Sequence, residues 1–327
     1  MRSILILLTI GWPLLAQNNF LVGVGGITAC EGKHGSCQSR LCSFEKQLPL
    51  HRFLKKEAPN VNAISVWITR KWEECWYPAP MINEGIQKGY TPIFIFYWFA
   101  DDISDAFIQK KKEDYFKTLQ RFVDYLKKIK GPKVVILNPE FNENGVEKLK
   151  SFDYLQARSI LMIKEQVEDV KVGICPGDFG DYKKIWDPQN WENFAPSVKV
   201  SAQLSDFIAF QEMRALTRNK KSEIADTPLR SLAFAVYLHK KYNKPTLLAY
   251  IAVSSYKDEA LQADVFNEYA KLMPLFKESA KLIGVNAFHY IDVPDHKGYF
   301  NEAEKHFGLK KADGTPKPSF KAFLRIR

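Results

Sequence analysis

The chain is poor in cysteine and histidine and has no clustered charge, and each shortage excludes something. Only six His occur, dispersed at His34, His51, His239, His289, His296 and His306. A metal-dependent polysaccharide deacetylase would need a His/Asp cluster at ligand spacing, which this dispersal does not supply. There is no Gly-x-Ser-x-Gly elbow, which an α/β-type Ser-His-Asp hydrolase would carry. Gly23-Val24-Gly25-Gly26 lacks the last Gly of a dinucleotide fingerprint, and no helix pattern opens there, so it reads as a close-packed strand end. No basic arm or tail is present. Runs such as Lys110, Lys111 and Lys112 are followed at once by Glu113 and Asp114, the pattern of a solvated helix face and not of a nucleic-acid footprint. Beyond the first residues no stretch approaches about 20 apolar residues, so no transmembrane segment is expected. No repeat, low-complexity tract or Ser/Gly linker divides the chain. No metal and no cofactor are expected.

What is there describes a folded domain. The 327 residues are 46% hydrophobic and 26% charged, enough to bury a large core without staples. Lys+Arg 47 against Asp+Glu 37 gives a net charge of +10, with the basic residues spread along the chain. Residues 1–16 read as a secretory signal: Arg2 supplies the positive start, Ile4 to Ala16 is almost wholly apolar, and Ala16 precedes a cut ahead of Gln17. A buried first strand is the alternative reading of that run. The mature domain would then be 17–327, secreted or periplasmic, and a monomer. Of the five cysteines, Cys30, Cys37, Cys42 and Cys75 can form two disulfides in an oxidising compartment, leaving Cys175 odd. A zinc site from Cys30, His34, Cys37 and Cys42 is the rival, at a spacing that matches no standard motif.

The chain alternates strand and helix patterns eight times. The strands fall at Phe20–Thr28, Val61–Trp67, Thr91–Trp98, Lys133–Asn138, Val170–Cys175, Asp206–Gln211, Thr246–Ala252 and Gly284–Ile291. Between them apolar residues recur at helix spacing, as at Tyr115, Leu119, Phe122, Val123 and Leu126. Pro59, Gly131-Pro132 and Pro245 punctuate the turns. Eight such units in one run predict a single (β/α)8 barrel, with an open doubly wound sheet as the alternative.

In a barrel the chemistry sits at the carboxyl ends of the strands. Those ends carry Trp67, then Trp72 and Trp76 in a polar loop; Trp98; Glu140 and Asn142; Asp178; Gln211 and Glu212; Tyr250; and His289, Tyr290 and Asp292. Acids and aromatics together suit carbohydrate. Flat rings stack on sugar faces, and carboxylates serve as acid and base at a glycosidic bond. Trp72, Trp76 and Tyr77, in a polar loop, are expected to face outward. Phe94, Phe96 and Phe210 are expected in the core, and Asp101, Asp105 and Asp181 as solvated or capping acids.

Asn138-Pro139-Glu140-Phe141-Asn142 resembles the fourth-strand end of retaining barrel glycosidases of the cellulase and β-mannanase type. Phe307-Gly308-Leu309 and Asp313-Gly314-Thr315-Pro316-Lys317-Pro318-Ser319-Phe320 are similar to their final loop and helix. The resemblance implies that Glu140 is the general acid/base. It fails at the seventh strand, where Lys244-Pro245-Thr246-Leu247-Leu248-Ala249 is followed by Tyr250 in place of the nucleophilic Glu. Three readings follow. Glu212, or next Asp178, partners Glu140 as the second carboxylate. Alternatively Tyr250 is the nucleophile, activated by Glu140 or Glu212. Or the barrel binds or transfers glycan without hydrolysing it. Trp67, Trp72, Trp76, Trp98, Asn142, Asp178, Gln211, His289, Tyr290 and Asp292 are the expected sugar contacts.

Overall fold

The computed structural model describes residues 20–25 and 50–327. The signal reading, Cys30, Cys37, Cys42 and the zinc alternative fall outside the described residues. Eight parallel strands form a closed barrel in sequence order. They are β1 (Leu21–Gly25), β2 (Ala63–Thr69), β3 (Thr91–Tyr97), β4 (Lys133–Leu137), β5 (Val170–Ile174), β6 (Phe207–Arg214), β7 (Thr246–Val253) and β8 (Leu282–Ala287). The intervening helices are α1 (Leu50–Glu57), α2 (Ala79–Gln87), α3 (Asp105–Leu126), α4 (Lys150–Gln166), α5 (Pro188–Trp191), α6 (Ser201–Leu204), α7 (Lys221–Ala225), α8 (Thr227–Tyr242) and α9 (Glu259–Ser279), and α10 (Pro318–Phe323) closes the chain. The helix starts are chemically marked: the Ser104 hydroxyl accepts from the Phe107 N–H at the head of α3, and the Asp258 carboxylate from Leu261 N–H at the head of α9.

Strand alternation sorts the core into two shells. Ala63, Ile93, Ile95, Val134, Ile136, Phe207, Ala209, Leu247 and Ala249 fill the barrel, in a cluster that runs on past the strand ends to Phe288, Phe300, Ala303 and Phe307. Their alternates, among them Phe94, Phe96, Val135, Ile208, Phe210 and Leu248, pack outward against Phe122 of α3 and Phe234 of α8. The closing seam between β1 and β8 depends on glycine. A Cβ on Gly25 would stand 1.7 Å from the Phe288 carbonyl oxygen, and one on Gly23 would stand 2.5 Å from Asn286 Oδ1. This is the close packing expected of that Gly-rich strand end.

One element differs from the sequence expectation. The run 284–291 is not one strand. β8 ends at Ala287, the Phe288 N–H turns to the Ile251 carbonyl, and His289–Ile291 forms a separate short strand, β9. β9 pairs with β10 (Gly308–Lys310) in a two-stranded sheet outside the barrel. A continuous apolar run carries no mark of this exit. Among the described residues no helix is long and apolar enough to cross a membrane. No group of three or more His, Cys, Asp and Glu that could hold a metal is found among them either.

Candidate functional site

Glu140 stands in the loop that leaves β4. Its side chain turns toward the barrel axis, while its own backbone is held left-handed at φ 63°. Asn138 and Asn144, on either side, are left-handed too, at φ 47° and 53°. Such conformations cost a non-Gly residue of order 1 kcal/mol or more, so neighbours must impose them. The Glu140 N–H donates to the Cys175 carbonyl at 3.0 Å. Asn142 clamps the following loop: its Oδ1 accepts from Gly177 N–H at 2.6 Å and its Nδ2 donates to the Gly177 carbonyl at 2.9 Å. The loops after β4 and β5 are therefore tied at two points.

The Tyr250 hydroxyl donates to Glu140 Oε1 at 2.5 Å. Tyr250 packs against Trp67, ring centroids 5.2 Å apart, and Trp67 meets Tyr97 edge-on at 5.3 Å. The Tyr97 hydroxyl donates to Asp101 at 2.5 Å. Trp67, Tyr97 and Glu140 are half-buried at the mouth, whereas Tyr250 lies wholly within it. Burial pushes the Glu140 carboxyl up to about 7; the Tyr250 hydroxyl opposes this, and Asp101, Glu143 and Glu304 add to it. Burial and then the Glu140 charge push the Tyr250 phenol well above its ordinary value. Glu143 is raised as well, by burial and then by Asp101 and Glu147.

Glu212 is not part of this assembly. β6 and β7 pair Gln211 with Tyr250 and Glu212 with Ile251. Tyr250 belongs to the barrel interior and Ile251 to the outer shell. Register therefore sends Gln211 inward and Glu212 outward. Behind the wall Glu212 lies 2.8 Å from Arg214 Nη2. Asp178 takes two hydrogen bonds from Arg230, at 2.6 and 2.7 Å, and one from Trp191 Nε1 at 2.7 Å. Both arginines lie over the Tyr182 ring. Glu212 and Asp178, the two candidates for the second carboxylate, are thus consumed in one buried ion network.

The other expected sugar contacts separate in the same way. Trp67 lies at the mouth. Trp72, Trp76 and Tyr77 are buried, contrary to the outward position expected from their polar loop. Trp72 packs on Phe122 and Tyr125 of α3, with Arg121 over its ring, so the loop folds back on the helix layer. Trp98 points outward onto Phe99, Phe107 and Tyr115. Tyr290 donates to Glu57, and Asp292 pairs with Lys317 at 2.6 Å and accepts from Gly308 N–H; both serve the β9/β10 sheet. Asn142 is the loop clamp. Gln211 and His289 are buried with polar atoms unpartnered: Oε1 of the first and both ring nitrogens of the second. Burial, then His296, holds the His289 pKa well below its ordinary value, so the ring is neutral. Sequence reasoning missed Tyr97, Glu143 and Glu304. Tyr97 shares parity with the interior residues Ile93 and Ile95, a signal that would have chosen it over Trp98.

Beside the mouth, the loops after β4 and β5 enclose a pocket of about 170 Å³. It is lined by Asn142, Glu143, Asn144 and Glu147 on one side and by Phe179, Gly180, Asn190, Asn193 and Phe194 on the other.

No family profile matches this sequence, and no curated protein matches it. Solved structures do. A GH5_18 protein from Bifidobacterium longum subsp. longum superposes with TM-score 0.62 at 12% identity, over 94% of this chain and 78% of that one. A GH26 β-mannanase from Bacteroides ovatus gives 0.58 at 13% identity, over 95% and 88%. The β-glucuronidase of Bifidobacterium dentium, solved with coumarin-3-O-glucuronide, gives 0.62 at 11% identity, over 93% of this chain but 45% of that one. The class is thus defined by fold: a single (β/α)8 barrel of the kind found in glycoside hydrolases. At these identities the likeness concerns the fold alone.

Proposed function

We propose that this protein is an exported glycoside-hydrolase-like barrel acting on a poly- or oligosaccharide, with Glu140 as the general acid/base. One observation carries the reading. Glu140 stands at the end of β4 in an aromatic mouth, with its carboxyl raised to about 7 by burial and held by the Tyr250 hydroxyl. A carboxylic acid still protonated near neutrality can donate to a leaving glycosidic oxygen and take the proton back from water. Trp67 and Tyr97 offer faces for sugar rings, and Gln211 an acceptor for a hydroxyl.

Glu212 has no place in this mechanism, since it lies behind the barrel wall. Tyr250 acts as the hydrogen-bond donor that orients Glu140. Two groups that attack and protonate across a sugar stand about 5 Å apart in retaining enzymes. The Tyr250 hydroxyl is 2.5 Å from Glu140, with no room for an anomeric carbon between them. That same contact favours a second reading, a barrel that binds glycan without cleaving it. Export is supported by the apolar first sixteen residues.

The test is release of reducing ends by the mature protein from neutral, acidic and amino polysaccharides. Release abolished in Glu140→Gln is expected. Tyr250→Phe is expected to keep turnover and to move the Glu140 limb of the pH profile upward, because the lost hydroxyl had lowered that pKa. Complete loss in Tyr250→Phe would make the tyrosine a nucleophile. Binding without release on every polymer would establish the non-catalytic barrel.

A further inference from the structure

We propose that the glycan recognised by this mouth carries free amino groups, arriving as ammonium, and that polyuronides are refused. The inference rests on the glycan-acting reading above and names the substrate class for it. Its basis is the sign and hydrogen-bonding sense of what lines the site. The charges acting most strongly on Glu140 are Asp101, Glu143 and Glu304, all carboxylates. The adjoining pocket holds Glu143 and Glu147 with four asparagines, and no Lys or Arg is among its lining residues.

The second observation is independent of charge. Gln211 is only 4% exposed, and its Oε1 has no partner. Register with Tyr250 turns this side chain inward, beside Gly177, whose backbone Asn142 holds from the other side. A buried carbonyl oxygen without a donor costs about 1–3 kcal/mol unless a ligand supplies one. In the pocket, Glu147 Oε2 is likewise buried and unpartnered. Unmet acceptors ask for a donor-rich ligand. An ammonium offers three N–H groups and no lone pair; a uronate would bring more acceptors and a second negative charge.

The cations in reach do not reverse this. Arg70 is engaged by Asp102. Lys148 reaches Glu147 only at 4.0 Å, with its side chain 74% exposed. His289, buried beside His296, stays neutral. The net charge of +10 is spread along the chain. Screening over about 8 Å at physiological salt mutes remote lysines, while carboxylates touching the ligand are screened far less. Local sign therefore opposes global sign.

The experiment is binding of the mature protein, followed by calorimetry at pH 6, to four hexasaccharides: β-1,4-linked glucosamine, its fully N-acetylated counterpart, β-1,4-linked mannose, and galacturonate. The glucosamine hexamer is expected to bind at least tenfold more tightly than its acetylated counterpart, with the galacturonate weakest. Glu143→Gln/Glu147→Gln is expected to cut that ratio severalfold. Equal affinity for the amino and acetylated oligomers, a ratio unmoved by the double substitution, or tightest binding of galacturonate would overturn this inference and leave the glycan-acting reading standing. Absence of binding to all four, with cooperative thermal unfolding intact, would overturn both.

Discussion

Glu140 is an acid whose folded-state pKa lies above its free value, and this has a stability consequence. Between about pH 4.5 and 7 the native state binds the extra proton, so stability falls as pH rises through that window. Glu140→Gln removes the dependence. The variant is expected to match the parent at pH 4 and to exceed it by about 1–3 kcal/mol at pH 8, read from urea midpoints. A variant less stable than the parent at pH 8 would mean that the ionised carboxylate is stabilised in the mouth. At this scale the sequence was partly legible. Glu140 was found because its neighbours form a short recognisable motif, and Tyr250 because it interrupts one. Glu304 was not, since only its charge bears on Glu140, from the 3-10 turn Asn301–His306 far along the chain between β9 and β10, where its carboxylate accepts from the Phe300 N–H.

At the scale of elements, parity decides which strand-end residues meet. Glu212 and Trp98 were chosen as attractive residue types at strand ends, yet each is one position out of phase with the interior. Ala209 and Ile95 carry the inward phase on their strands. β6 keeps this alternation through Gln211 and Glu212; the extra residue lies on β7, where Phe210 and Gln211 pair with Leu248 and Tyr250 and leave Ala249 over, so that Ala249 and Tyr250 both face inward, a bulge that is not written in residue type. What Glu212 lost as a site residue it gained in the wall. The Asp178–Arg230–Arg214–Glu212 network holds the loop after β5 to β6 and α8. Asp178→Asn leaves Arg230 buried without its carboxylate and is expected to cost about 3–5 kcal/mol. Urea unfolding followed by the fluorescence of Trp191, whose indole N–H bonds the same carboxylate, reads this directly. A loss below about 1 kcal/mol would mean that Asp187, 3.6 Å from Arg230, replaces the missing charge.

For the whole molecule, the barrel was legible because eight apolar runs punctuated by Pro and Gly admit few topologies. The seam was legible only as a hint. Gly23 and Gly25 are small because the last strand closes directly against them. Gly25→Ala drives a methyl into the Phe288 carbonyl, a backbone atom that no rotamer change moves aside. The expected cost is about 3 kcal/mol or more, seen as a lower urea midpoint or loss of the folded protein. An unchanged midpoint would mean that the Phe288 segment shifts freely. Such freedom would disturb the mouth, where Phe288 packs on Trp67 and Tyr250.

The left-handed backbone at Asn138, Glu140 and Asn144 limits what an engineer can move. A segment that follows its own preferences can be grafted onto another scaffold and keep its shape. This one takes its shape from the Cys175 carbonyl and the Gly177 peptide on the next loop, and from the Ile103 carbonyl on the loop before, which accepts from Asn144 Nδ2. Transplanted alone, residues 138–144 would relax and swing the carboxyl away. The unit that can be exchanged between barrels is the set of loops after β3, β4 and β5 together.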